Sequence, residues 1–305
     1  MKLHHLLVVI DPTRDDQPAL SRAQWIAERS GASVELLLCD FNPALDSGLL
    51  IPQRDLERAR LILQSERLDW LERLAGPLRQ AGIRAHCHTR WGKPLHREIL
   101  AQVVEKQPDL VLKSSSRHGL LKRLLLTNTD WQLIRHCPRP LWLVHHASWE
   151  GQRLCAALDP LHESDKPADL DHQLIAVAEE LQERLGMTAS YLHSYMALPQ
   201  TLAFNAELQI NYEQHVKATE AHHRAALAQL LATHPEVKAE HVHLREGFAE
   251  EAIPEFVRNH GIDLLLMGAV ARGHLESALI GHTAERVLEE VECDLLVIKP
   301  DTQKG

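Results

Sequence analysis

The chain has 305 residues, 45% of them hydrophobic, and a formal net charge of −9. That length points to two domains of roughly 150 residues, each with an ordinary core. The acidic balance argues against a general nucleic-acid binder, which is usually basic, and favours solubility.

The five cysteines stand at 39, 87, 137, 155 and 293, and none forms a C-x-x-C pair. An odd, scattered set reads as reduced thiols of a cytoplasmic protein. The one apolar run near the amino terminus, Leu6 to Ile10, stops at Asp11 and is too short for a secretion signal. No run reaches membrane-spanning length, so no membrane insertion is expected.

Taken in order, the chain repeats itself. Leu6-Leu7-Val8-Val9-Ile10-Asp11-Pro12 returns as Leu154-Cys155-Ala156-Ala157-Leu158-Asp159-Pro160. Each reads as a buried strand ending in Asp-Pro. Helices follow from about Gln17 to Arg29 and from about Leu170 to Leu185, stopped by Gly31 and Gly186. Second strands are expected at Ser33 to Cys39 and Thr188 to His193. Long helices follow, with stripes through Leu56, Leu63, Trp70, Leu71, Leu74 and Leu78, and through Val216, Ala226, Leu227, Leu230 and Leu231. Third strands are expected at Ile83 to Thr89 and Val237 to Arg245, leading to Gly92 and Gly247. Fourth strands start at Asp109 and Asp263, 154 residues apart, and fifth strands cover Leu141 to Val144 and Leu295 to Ile298. Each half is thus β-α-β-α-β-α-β-α-β, which implies an α/β fold with parallel strands and helices on both faces. The halves are 1–147 and 153–305.

The densest signal is the stretch Asp263 to Pro300. Leu264-Leu265-Leu266-Met267 reads as a strand buried on both faces, and Gly268, Gly273 and Gly281 lie in or beside the loop that follows. A helix from Thr283 to Val291 follows, with free N–H groups at its start that favour an anion. Backbone amides approach a phosphate closely where no side chain intervenes.

This stretch resembles the carboxy-terminal part of a universal stress protein, and its closing residues, from Thr283-Ala284-Glu285 to Lys299-Pro300, look most like the tandem, E-type members. ATP-binding members of the family carry G-x2-G-x9-G-[ST] here. In this chain Gly268 and Gly281 fill the first and third glycine positions. Ala271 takes the second, His282 takes the Ser/Thr position, and Thr283 follows one residue late.

The resemblance implies two Rossmann-like, doubly wound sheets of strand order 3-2-1-4-5, paired like a fused dimer about a pseudo-twofold with the fifth strands meeting. A ligand then lies beyond the carboxyl ends of strands 1 and 4, near Asp11 and Lys113 or near Asp159 and Gly268. In half two, it implies Asp159 beside a nucleoside, Gly268, Arg272 and Gly281 around phosphates, and His282 and Thr283 at the helix start. The bland reading is that these glycines only make a tight strand-to-helix connection.

Half one has lost the phosphate-loop glycines. Ser114, Arg117, Thr127 and Asn128 stand where half two has Gly268, Ala271, Gly281 and His282. Asp130 adds a carboxylate in the first helical turn, where it suits the helix dipole and repels phosphate. No ATP is expected there; half one is structural or takes a different ligand.

Histidine is abundant, with 21 residues. His86 and His88, and His241 and His243, sit at alternate positions of the two third strands. Strand alternation puts each pair on one face, which suits two zinc ligands. The competing reading is a solvated edge strand that resists aggregation. His215, His222 and His223 read as solvent-side residues of one helix. Met196 to Ile210 is apolar enough to line a cavity for an amphiphilic, lipid-like ligand or to pack internally. No nucleophile-base pair and no G-x-x-x-x-G-K-[ST] loop is present, so slow ATP hydrolysis is the most catalysis expected. The sequence therefore supports a stress-response ligand binder, with a weak ATPase and a nucleotide-independent scaffold or carrier as the alternatives. Further homodimerisation stays open.

Overall fold

The computed structural model describes residues 1–46, 52–115, 126–145, 149–161, 168–199, 211–269 and 282–300. The described chain divides into two compact units that part between Ser148 and Trp149. Trp149 is held in unit 2, its indole N–H donating to the Asp263 carbonyl at 3.3 Å.

In unit 1 the strands are β1 (His5–Val9), β2 (Ser33–Asp40), β3 (Ala85–Trp91), β4 (Leu110–Ser114) and β5 (Leu141–Val144). They lie in the order β3-β2-β1-β4-β5, and every pairing is parallel. The helices are α1 (Pro18–Ser30), α2 (Gln53–Gln80), α3 (Leu95–Lys106) and α4 (Asn128–His136). Central strands are closed off from water on both faces: Leu6, Leu7, Val8, Val111 and Leu112 are fully buried. That is why they read as continuous apolar runs rather than alternating ones. Gly31 ends α1 in the left-handed region at φ 72°, its N–H bonded to Ala27 O.

Unit 2 repeats the plan with β6 (Arg153–Ala157), β7 (Thr188–Tyr195), β8 (Val242–Glu246), β9 (Leu264–Gly268) and β10 (Asp294–Ile298). Its order is β8-β7-β6-β9-β10, again with parallel pairs. Its helices are α5 (Ala168–Leu185), α6 (Tyr212–Leu231), α7 (Ala249–His260) and α8 (His282–Glu290).

The repeat is exact in its bonding at several joints. Asp109 Oδ2 accepts the N–H groups of His4 and His5, and Asp263 Oδ2 accepts those of Gln152 and Arg153. Each carboxylate thereby pins the start of its first strand to the start of its fourth. Ser114 pairs with Val144 as Gly268 pairs with Ile298. The N–H of Gly92 bonds Asp40 O as that of Gly247 bonds Tyr195 O.

The third strands differ from expectation. β3 begins later and runs to Trp91, and β8 begins only at Val242. Before it, Val237 N–H bonds His234 O and His241 N–H bonds Lys238 O, so the chain stays curled. Ala239–His241 form a 3-10 turn, and His241 is not on the strand. An outermost strand has a ladder on one side only, so local turn bonds compete with it effectively.

A polar cluster sits inside unit 1. Glu35 on β2 is buried, with His5 Nε2 at 3.5 Å and His88 Nε2 at 3.7 Å, and it accepts from Gln102 on α3. Burial opposes ionisation of Glu35. The hydrogen bonds from His5 and Gln102 and the charges of His88 and Lys106 outweigh it, and hold the carboxyl below its ordinary value. A depressed carboxyl contributes stability above its unfolded pKa and loses it as pH falls through the folded one. Glu35→Gln therefore should flatten the acid limb of unfolding, with wild type losing stability more steeply as pH falls below the ordinary Glu range. Denaturant midpoints at neutral and acid pH measure this; equal slopes for both proteins would sink it.

Among the described residues no helix is long and apolar enough to cross a membrane.

Candidate functional site

In each unit the order of strands reverses beside the first strand, the place where doubly wound sheets take their ligands. Unit 1 has a cavity of about 200 Å³ at this place. The ends of β1, β2 and β4 and the first turns of α3 and α4 line it. Val9, Ile10, Cys39, Leu95 and Ile99 supply an apolar wall. Burial pushes the Cys39 thiol up to about 12, with Glu98 adding to the shift, so that wall carries no thiolate.

The polar side of the cavity is largely engaged. Asp11 Oδ1 accepts from the N–H and hydroxyl of Thr13 at 2.9 and 2.6 Å. The amide of Gln17 clasps the same turn, its Oε1 accepting from Asp11 N–H and its Nε2 donating to Asp11 O. Ser114 Oγ accepts the N–H of Ala19 at the start of α1. The Lys113 ammonium lies 2.7 Å from Asp130 Oδ1 and donates to Ser114 O at 3.0 Å. Asp130 is fully buried. Its Oδ2 accepts from the N–H and hydroxyl of Thr127, while Thr127 Oγ1 accepts the N–H of Asp130. This is a reciprocal capping box, so the end of α4 that could hold an anion already holds one of its own. Arg14 nearby is committed to Asp16 and to the carbonyl of Ser115.

Unit 2 differs at the decisive positions. By strand register Met267 pairs with Val297 as Lys113 pairs with Leu143, so Met267 takes the place of Lys113. Ala284 is the third residue of α8, as Asp130 is of α4. Both members of the internal ion pair are absent there. Of the residues assigned to a nucleotide by sequence, Asp159 and Gly268 lie at neighbouring strand ends, in the turn after β6 and at the end of β9. The N–H of Asp159 is held by Asp171 Oδ1 at 3.2 Å, and Asp171 is fully buried. His282 and Thr283 open α8. Arg272 and Gly281, and the aligned Ala271, lie outside the described residues, as does Arg117 in the first half. The fit to a phosphate group rests on what is present: a strand ending in glycine and a helix start without an acidic third residue.

The histidines proposed for zinc do other things. His86 is exposed and His88 faces Glu35. His241 lies 3.6 Å from Glu240, and His243 packs on Phe256 with ring centroids 4.8 Å apart. Among the described residues no group of three His, Cys, Asp or Glu side chains is placed to hold a metal. The zinc reading gains no ligand set.

One expectation is overturned outright. His223 is not a solvent-side residue but is 5% exposed, while His215 and His222 are exposed. Its Nδ1 lies 2.9 Å from Nε2 of His193 on β7, and His193 Nδ1 lies 3.1 Å from Leu158 O. A second pair, His172 and His234, is joined at 2.9 Å between α5 and the turn after α6, with Glu179 3.6 Å from His234. Neither pair is visible as a sequence spacing, since the partners stand 30 and 62 residues apart. The one legible signal was that His223 falls on the Val216–Leu227 stripe of α6. Of the apolar segment Met196 to Ile210, residues 200–210 lie outside the described residues; Ala197 is buried and Leu198 O accepts the Tyr212 hydroxyl.

The profile of the Universal stress protein family matches twice, over residues 2–145 and 164–299. The chain is 30% identical over 301 residues to Universal stress protein E of Photorhabdus laumondii, covering 97% of this chain and 95% of the other. It is 30% identical over 299 residues to Universal stress protein E of Escherichia coli K12, covering 97% and 94%. A solved structure of a functionally unknown protein from Pseudomonas aeruginosa superposes with TM-score 0.74 at 28% identity, covering 98% of this chain and 93% of that one.

Proposed function

The chain belongs to the universal stress protein family as a tandem of two such domains, and from that premise we propose that it is a stress-response ligand-binding protein whose second half holds an adenine nucleotide, ATP. Asp159 sits beside the nucleoside in this reading. Gly268, Arg272 and Gly281 surround the phosphates, and His282 and Thr283 present the start of α8. The observation that carries the proposal is the exchange of Lys113 and Asp130 for Met267 and Ala284. Half one fills its helix start with its own carboxylate. Half two has alanine at that third position, its first-turn carboxylate Glu285 coming one residue later, and in this reading the helix dipole and the N–H groups at the start of α8 favour an external anion.

The exchange also supplies the test. Ala284→Asp should install the carboxylate of half one at the third helical position, where an acidic residue is compatible with the helix itself. Native mass spectrometry with Mg-ATP is expected to show one nucleotide per wild-type chain. Ala284→Asp and Gly281→Trp should each lose it. Absence of nucleotide on the wild-type chain, or full retention in Ala284→Asp, would count against the proposal. The same spectra would reveal a co-purifying lipid or metal, the mark of the carrier alternative.

A further inference from the structure

The long helix of half one, α2, is apolar on a side where a surface helix is usually polar. Leu61, Ile62 and Leu68 are 66%, 53% and 38% exposed. Leu61 and Leu68 stand two turns apart along one line of the helix, with Ile62 beside them. Exposed leucines scattered singly are ordinary, whereas a cluster on one face marks a contact surface. The fold does not require this cluster. The counterpart helix of half two, α6, exposes no large hydrophobic side chain; Glu213, Gln214, Lys217, His222 and Arg224 stand on its outer side. On α3 the exposed Leu95 and Val104 are nine residues apart and so point to opposite sides.

We propose that this face is where two copies of the chain meet, α2 packed antiparallel on α2 about a twofold axis at the level of Ser65. The charges around the cluster single out a second copy as the occupant. Asp55 and Arg58 precede it, and Asp69, Glu72 and Arg73 follow it, all exposed. About that axis, each residue comes level with the one equally far beyond Ser65 in the other helix. Leu61 then meets the partner's Leu68. Arg58 lies between the partner's Asp69 and the partner's Glu72, and Asp55 lies beside the partner's Arg73. Each contact occurs twice, as an isologous interface demands. A parallel arrangement would set every one of these charges against its own kind, which is unfavourable. Glu72 also holds Arg79 at 2.5 Å, but the Glu72 side chain is 44% exposed and still open to a second cation. One face of a 28-residue helix buries less than the ~800 Å² per partner of a standard interface, so the association is weak and concentration-dependent.

Sedimentation velocity of the full chain, from about 5 to about 500 μM, is expected to show a monomer–dimer equilibrium with Kd of about 10–300 μM. Leu61→Ser/Ile62→Ser should weaken it at least about tenfold; both side chains are exposed, so the buried side of the helix is untouched. Val104→Ser removes a comparably exposed residue from α3 and should leave the equilibrium unchanged. Arg58→Glu, and separately Asp69→Arg/Glu72→Arg, should each weaken self-association at least about fivefold. An equal mixture of those two charge variants should associate as well as wild type, because each then meets the opposite charge. A folding defect cannot produce that rescue, and association through another surface cannot either. A chain that stays monomeric throughout would overturn the proposal, leaving the face to another protein or to residues 47–51, which lie outside the described residues. Dimerisation that survives Leu61→Ser/Ile62→Ser, or a mixture that associates no better than its components, would overturn it equally.

Discussion

Lys113→Met is expected to destabilise the first domain by about 3 kcal/mol, the low end of what removing one partner of a buried ion pair costs. Asp130 is fully buried and its Oδ1 makes no well-angled hydrogen bond; the ammonium of Lys113 at 2.7 Å is what answers its charge. Lys113 keeps 14% of its side chain exposed, so some solvent screening remains and the upper end of the range is not reached. Asp130→Asn alone should cost less. The amide oxygen can still accept from Thr127, and the Lys113 ammonium left without its counter-ion keeps the Ser114 carbonyl and some solvent.

The double variant Lys113→Met/Asp130→Asn should recover most of the loss, because half two folds with Met267 in the equivalent place. Five of the six tryptophans stand in the first 145 residues. Denaturant unfolding followed by indole fluorescence therefore reports mainly the first domain. A two-domain chain need not unfold in one step, so the comparison belongs to that transition alone. If the double variant were no more stable than Lys113→Met, the stranded-carboxylate argument would fail.

The same ion pair shows how far the sequence could be read. From the second strand onward the strands repeat at a spacing of 154 or 155 residues, and strand register places Gly268 on Ser114 and Gly247 on Gly92, as simple subtraction does. The acidic first turn of α4 was legible too, because a helix start has a fixed electrostatic preference. Its partner was not. Lys113 is the penultimate residue of a strand, 17 residues earlier, and nothing in spacing says that its ammonium turns toward Asp130 rather than toward a ligand. Periodicity fixes which face a side chain leaves from, not what it meets.

His223 shows the same limit in a sharper form. Residue type alone places two adjacent helical histidines in solvent, yet His223 occupies the buried stripe with Leu227 while His222 does not. The helical period was the better guide. The third strand of half two differs in another way: of Val237 to His241 only Val237 strongly favours a strand, and local turn bonds win where only one neighbouring strand offers a ladder.

His193 and His223 should be coupled by about 1–3 kcal/mol, within the range for groups in direct contact. The direction of their hydrogen bonds follows from the carbonyl at one end. Leu158 O can only accept, so His193 carries its proton on Nδ1 and, when neutral, presents a lone pair at Nε2. His223 Nδ1 must then donate across the 2.9 Å gap. Nitrogen-15 spectra of the two rings should show those tautomers; His193 protonated at Nε2 when neutral would contradict the chain. His223→Leu removes the donor and the stack on Tyr195, whose ring centroid lies 4.9 Å away. His193→Leu removes the donor to Leu158 O and the acceptor for His223. Each single change should cost about 1–3 kcal/mol, since it unpairs buried polar atoms.

The double change to Leu should cost less than the sum. Half one already has Leu38 at the position of His193 by strand register, and apolar pairs replace polar ones cheaply when both partners go. Hydrogen exchange of the β7 amides would read these energies in the second domain by itself. Strictly additive losses would mean that the two rings merely neighbour each other. Coupled losses would mean that α6 is tied through His223 and His193 to Leu158, one residue before Asp159. On that outcome, ordering of the strand-end turn in the second half depends on α6, whereas in the first half Leu38 stands at the position of His193 and its side chain offers no hydrogen bond.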